Sequence, residues 1–167
     1  MERRDLFRNF GKYFKEDKKT QEIQILRPPY FEKESDFDSC IKCETKDCKV
    51  ACDADTSIIE ILEDGTPALN FANNGCTYCD DCANACQNDV LKLENKKNIN
   101  ATFSIDLLKC LAWNDTMCFS CKDPCLVNAI NFLGLFKPEI DTNICNGCGF
   151  CLKTCPSDAI SLEIKKG

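Results

Sequence analysis

The chain contains no histidine. That excludes Rieske-type ligation, zinc sites that mix cysteine with histidine, and any histidine general base. It contains no stretch near the run of about 20 apolar residues that a transmembrane helix requires, so the expectation is a chain that does not span a membrane. No apolar h-region follows the N-terminus, which predicts a chain not sent through the Sec route. It has no phosphate-cradling glycine loop, and no carboxylate pair stands out from a generally acidic surface. No feature therefore supports catalysis within the chain, and a non-enzyme is expected. A basic face is missing as well. The net charge is −6, and its distribution is uneven: residues 1–33 carry nine Lys/Arg against six Asp/Glu, and the rest carries twelve against twenty-one. An acidic body argues against nucleic acid, which needs a basic face. It suits docking onto a basic protein surface, although acidity of this size also serves solubility alone.

What the chain has is sixteen cysteines in 167 residues. They fall into four groups of four: Cys40, Cys43, Cys48, Cys52; Cys76, Cys79, Cys82, Cys86; Cys110, Cys118, Cys121, Cys125; and Cys145, Cys148, Cys151, Cys155. The first members of successive groups lie 36, 34 and 35 residues apart. So even a period is an internal repeat, each unit carrying one thiolate tetrad. Four neighbouring thiolates are the ligand set of an iron–sulfur cluster, so the chain reads as a carrier of up to four [4Fe–4S] clusters. Disulfides are the competing use of so many cysteines. A disulfide framework rarely repeats one tight spacing four times, and reduced thiolates point to the cytoplasm.

The last group is Cys145-Asn146-Gly147-Cys148-Gly149-Phe150-Cys151-Leu152-Lys153-Thr154-Cys155-Pro156, the bacterial ferredoxin run C-x2-C-x2-C-x3-C-P. Two-residue gaps curl the backbone round one cube, so that three sulfurs converge on three irons. Gly147 and Gly149 let that loop take positive φ and turn main-chain N–H groups inward. The fourth cysteine follows on a short helix pointing away, toward the neighbouring cluster. The second group has the same spacing, with Gln87 in place of proline. The first and third groups depart from it: four residues separate Cys43 from Cys48, and seven separate Cys110 from Cys118. Longer gaps can loop outward and still reach one cube. They also allow a three-iron cluster, a lost site, or a buried free thiol at Cys110. Zinc held by four cysteines normally uses two C-x2-C pairs about a dozen or more residues apart; three cysteines inside seven residues, twice, suit a cube better.

Strand signals lie between the groups: 57–62 and 68–71 around the turn pair Asp64-Gly65, 90–93 and 102–105, 129–133 and 135–140 around Gly134, and 159–164. The plan is ligand loop, short helix, strand, turn, strand, repeated. The expected fold is α+β, built of tandem bacterial-ferredoxin-like modules in which short helices and β-hairpins surround the clusters, with modules at 34–97 and 98–167. Each unit is too small to bury a core alone, so the cluster acts as its staple. Pairing of adjacent groups predicts that Cys86 completes the first site, Cys52 the second, Cys155 the third and Cys125 the fourth; a nested pairing of first group with fourth stays open.

Residues 1–33 read as a separate basic segment. Leu6, Phe7, Phe10, Tyr13 and Phe14 recur at helical spacing among Arg3, Arg4, Arg8, Lys12 and Lys15, followed by an extended stretch through Arg27-Pro28-Pro29-Tyr30. Such a stripe either packs on the chain's own core or docks to a partner. Arg3-Arg4-Asp5-Leu6-Phe7 looks like a twin-arginine export motif, but Lys15-Glu16-Asp17-Lys18-Lys19 stands where its apolar region should follow.

The arginine-rich start, Arg27-Pro28-Pro29 before the first group, and the order of the four groups together resemble NapF-type ferredoxins. So does the expanded third group, Cys110-Leu111-Ala112-Trp113 through Cys118 to Cys121-Lys122-Asp123-Pro124-Cys125. These proteins are encoded with bacterial periplasmic nitrate reductase. Only the fourth tetrad here is followed by proline. The resemblance implies a cytoplasmic iron–sulfur protein that meets the catalytic subunit of periplasmic nitrate reductase in its precursor form, before export. It would assist that subunit's maturation by supplying electrons or helping its cluster form. A general electron-transfer ferredoxin, or a subunit wiring electrons to a larger redox enzyme through other redox partners, is the alternative.

Overall fold

The computed structural model describes residues 25–134 and 136–165. The amphipathic stripe of residues 3–15 lies outside them.

Among the described residues six short strands form three antiparallel pairs. β1 (Ile59–Ile61) and β2 (Pro67–Leu69) make a hairpin with Ile59 opposite Leu69. β4 (Ile130–Leu133) and β5 (Lys137–Ile140) make another, with Ile130 opposite Ile140. β3 (Ala101–Ile105) pairs along its whole length with β6 (Ile160–Ile164), Ala101 opposite Ile164. The two hairpins arise where local turn chemistry demands them. Gly65 and Gly134 take positive φ, 84° and 61°, a conformation open to glycine at little cost. Beside the first turn, the Asp64 carboxylate accepts the Thr66 N–H at 2.8 Å and closes it.

Four short helices hold ligand segments: α1 (Asp38–Ile41), α2 (Asp47–Asp53), α3 (Asp81–Asn84) and α4 (Phe150–Thr154). The expected helix of the third group does not form; Ser120–Pro124 runs as consecutive turns. Pro124 explains this. It has no N–H to give to the preceding turn, and its ring pushes Asp123 out of the helical region. The expected strand at 90–93 is also replaced, by bends at Val90 and Leu91 leading into a single 3-10 turn at Leu93–Asn95. Its would-be partner is the segment around Pro28 and Pro29, which lacks two N–H groups, so one bond from the Lys92 N–H to the Tyr30 carbonyl (2.7 Å) stands where a ladder would run.

Residues 25–33, grouped in the sequence with the N-terminal segment, pack into the first half. Leu26 and Tyr30 are buried, and Leu26 accepts the Leu69 N–H at 2.7 Å. Arg27 is buried too. Its guanidinium donates to the Thr66 hydroxyl and the Pro67 carbonyl, both at 2.8 Å, pairs with Glu34 at 3.1 Å, and lies over the Phe37 ring. One apolar core runs through both halves, from Tyr30, Phe37 and Ile59 through Phe71 to Phe103, Ile130 and Ile160. Among the described residues no helix is long and apolar enough to cross a membrane.

Candidate metal centres

All sixteen cysteines are free thiols. The fold gathers them by exchange between adjacent groups. Cys40, Cys43, Cys48 and Cys86 line a first cavity together with Thr45, Lys46 and Leu91. Cys110, Cys118, Cys121 and Cys155 line a third, closed by Ala112, Pro138 and Ala159. Cys125, Cys145, Cys148 and Cys151 line a fourth, against Phe103, Ile130 and Ile140. Cys76, Cys52 and Cys79 are the nearest thiol charges to Cys82, ahead of Cys48 of the first site, and make with it the second set. The exchange follows from helix geometry. Cys48 and Cys52 stand four residues apart on α2, so they serve opposite ends of one turn. Cys82 on α3 and Cys86 just beyond it make the reverse trade, and α4 does the same for Cys151 and Cys155.

The departures at the first and third groups are held shut by specific contacts. In the first, Lys46 takes positive φ (49°) and its ammonium donates to the carbonyls of Cys40 and Gly65, folding the extra residues back. Asp47 accepts from Thr45 (2.9 Å) and from Gln87 (2.7 Å), tying the loop to the segment that brings Cys86. In the third, the Asn114 amide donates to the carbonyls of Leu107, Leu108 and Cys110 at 3.1, 3.2 and 2.8 Å. The Trp113 indole N–H reaches the Pro138 carbonyl at 3.1 Å. The seven-residue gap thus closes on itself and leaves Cys110 buried in the tetrad rather than packed alone in a core.

A recurrent device went unread in the sequence. Three residues after the fourth cysteine of the last three groups stands Asp89, Asn128 or Asp158, each at positive φ (55°, 53° and 47°). Asx side chains tolerate that conformation better than others. The turn aims a main-chain N–H back at the sulfur: Leu91 to Cys86 at 3.4 Å, Ala129 to Cys125 at 3.2 Å, Ala159 to Cys155 at 3.3 Å. Hydrogen bonds to ligand sulfur are one lever on a cluster's reduction potential. The signal was there, an Asx at a fixed offset from each of three cysteines.

Electrostatics describe thiols waiting for positive charge. Burial, with Cys86 and Cys40 adding to it, pushes Cys48 up to about 11. Burial likewise pushes Cys121 up to about 11 and Cys151 up to about 12, their tetrad neighbours contributing. Cys155 moves the other way: burial raises it, but the N–H groups of Ala159 and Ser157 outweigh burial and hold it below the usual thiol value. Four crowded thiolates in an apolar shell are unstable without a cation among them. Among the described residues no three Cys, Asp or Glu side chains converge as a set for a single metal ion. Four thiols about each of three cavities, in a chain without histidine, match the ligand set of a cube of iron and sulfide.

Comparison with known proteins bears on the same residues. A model of the 4Fe-4S binding domain matches residues 137–160, the segment of the fourth group. The ferredoxin-type protein NapF of Escherichia coli K12 is 34% identical over 143 residues, covering 83% of this chain and 84% of the relative. The chain belongs to the NapF family of ferredoxin-type proteins. The NapF of Haemophilus influenzae is 31% identical over 154 residues, covering 89% of this chain and 84% of that protein. The methylamine utilization ferredoxin-type protein MauM of Methylobacillus flagellatus is 30% identical over 178 residues, covering 93% and 74%. As a NapF-family member with these tetrads, the protein carries [4Fe–4S] clusters.

Proposed function

We propose that the protein is a cytoplasmic carrier of four [4Fe–4S] clusters that assists maturation of the catalytic subunit of periplasmic nitrate reductase before that subunit is exported. The observation that carries the cluster count is the sorting of sixteen thiols into four sets of four. Bound clusters supply one-electron storage. The chain's own residues enclose the sites in apolar walls and aim N–H groups at Cys86, Cys125 and Cys155. Family membership supports the nitrate reductase assignment, because NapF-type ferredoxins are encoded with that enzyme.

The acidic body and the exposed apolar side chains about the third group support a docking role. Leu107, Leu108 and Leu111 lie on a loop tied together by Asn114, with Met117 and Phe119 following; exposed apolar clusters of this kind mark protein contacts. The test is anaerobic co-purification with the unexported catalytic subunit. Deleting residues 1–24 should abolish binding while iron and sulfide content stay unchanged. The cut stops at 24 because Leu26, Arg27 and Tyr30 belong to the core. Full binding after that deletion would remove the N-terminus from the docking role.

The alternative reading, a general electron-transfer ferredoxin, is favoured by the close succession of the sites. It expects reversible reduction without loss of iron and no retention of the catalytic subunit.

A further inference from the structure

We propose that the four sites form one electron path in the order first, second, fourth, third, and that the contact of Cys76 with Cys148, positioned by Tyr78, is the junction between the halves. This rests on the reading that each tetrad holds a cluster. Within the first half, α2 and the α3 segment each carry one cysteine into the first site and one into the second. Within the second half, α4 and its C-terminal continuation join the fourth site to the third. The order is therefore decided by where the halves touch.

They touch at the second and fourth sites. The N–H of Cys76 donates to the Cys148 carbonyl at 2.7 Å, a direct backbone bridge between one ligand of each site. Gly75 makes the approach possible. A Cβ there would stand 2.6 Å from the Phe150 nitrogen and ring and 2.7 Å from the Cys148 oxygen. Tyr78 lies two residues past Cys76 at positive φ (57°). Its hydroxyl donates to the Asn146 carbonyl at 2.5 Å and accepts the Ile99 N–H at 3.0 Å. A half-buried tyrosine whose hydroxyl bonds two main-chain groups of the opposite half is a gauge for the distance between the two ligand loops. Among the described residues no hydrogen bond ties the loops of the first or third site to the opposite half. The step itself moves one electron from a reduced centre to an oxidised neighbour; no bond forms or breaks, and an external one-electron donor, dithionite in the test, supplies the electron.

The test uses the full chain, reconstituted anaerobically. Its iron and sulfide content comes first, because a chain that takes up none overturns the cluster reading and the path with it. Mixing with substoichiometric dithionite and freeze-quenching for EPR then follows the spread of electrons among the centres. The unaltered chain should show its final distribution at the earliest time. Gly75→Ala, which forces the loops apart, and Tyr78→Phe, which removes the gauge, should both show a resolved slow phase. That phase should be independent of protein concentration, with iron content and final distribution unchanged. Tyr30→Phe removes a comparable hydroxyl bond, to Asp80 within the first half, and should show no slow phase. Equally fast spreading in both junction variants would overturn the proposal. So would loss of iron from both while Tyr30→Phe keeps it, since the contact would then hold clusters rather than link them. If only Tyr78→Phe loses iron, the rate in Gly75→Ala decides.

Discussion

The second and fourth ligand loops share one spacing and one backbone path, yet they use opposite residue types to follow it. At the two positive-φ positions the fourth loop has Gly147 (81°) and Gly149 (85°), whereas the second has Tyr78 (57°) and Asp80 (70°). The glycines are required by crowding as well as by φ. A Cβ on Gly147 would lie 2.5 Å from the Ile99 carbonyl oxygen, and one on Gly149 the same distance from the Phe71 ring. The second loop has side chains at these positions and anchors both. Tyr78 bonds across the junction, and the Asp80 carboxylate accepts from the Tyr30 hydroxyl at 2.8 Å and the Lys96 ammonium at 2.6 Å. Left-handed backbone costs a non-glycine residue about 1–2 kcal/mol, so the second loop is held by its contacts and the fourth by its freedom. One loop is fastened, the other is close-packed.

Giving the fourth loop a side chain should do the most damage. Gly149→Ala combines the left-handed penalty with overpacking against Phe71, together about 2–5 kcal/mol. Denaturation of the holo protein should show it, with iron lost first from the second and fourth sites; an unshifted midpoint would mean the loop is looser than its packing implies. Next comes Arg27→Leu, which strips the buried carbonyl of Pro67 and the Thr66 hydroxyl of their donor at about 2–4 kcal/mol. Arg27→Lys should recover little, because an ammonium cannot reproduce the fork that spans Thr66, Pro67 and Glu34.

Cys110→Ser should remove the iron of one cluster from the third site while the other three keep theirs. Unchanged iron would show that the expanded loop contributes no ligand. Proton release offers a gentler probe of the two halves. The raised thiols Cys48, Cys121 and Cys151 are protonated at neutral pH, so loading clusters onto the free chain must expel protons, and uptake should strengthen as pH rises toward about 11. The stability of the cluster-free chain runs the other way. Thiols raised on folding favour the fold below the unfolded thiol value and lose that contribution as pH climbs through about 11 to 12. Melting curves across that window check the sign. Pro29→Ala should cost about 2–3 kcal/mol in the denaturation midpoint, from the two buried ring methylenes it removes and a more flexible unfolded chain.

The tetrads and both hairpins were readable in the sequence because each rests on residues close together: cysteines two or three apart, Asp64-Gly65, Gly134. What escaped reading depends on distance along the chain. β3 was legible as a strand, but its pairing with β6 brings together residues more than fifty positions apart, and no local pattern records that. The segment at 90–93 has strand composition and bends instead, with prolines on the chain beside it. Tyr78 and Asp80 carry no turn signal of their own; their anchors, Asn146, Ile99, Tyr30 and Lys96, are scattered. The missing third helix was legible through Pro124, had its effect on Asp123 been weighed.

Exchange of the fourth cysteine has a consequence for the order of synthesis. While the polypeptide is still emerging, the first tetrad lacks a wall until Cys86 leaves the ribosome, and the third stays open until Cys155 follows. Iron delivered to a nascent chain therefore finds the second pocket complete before the first, and the fourth before the third.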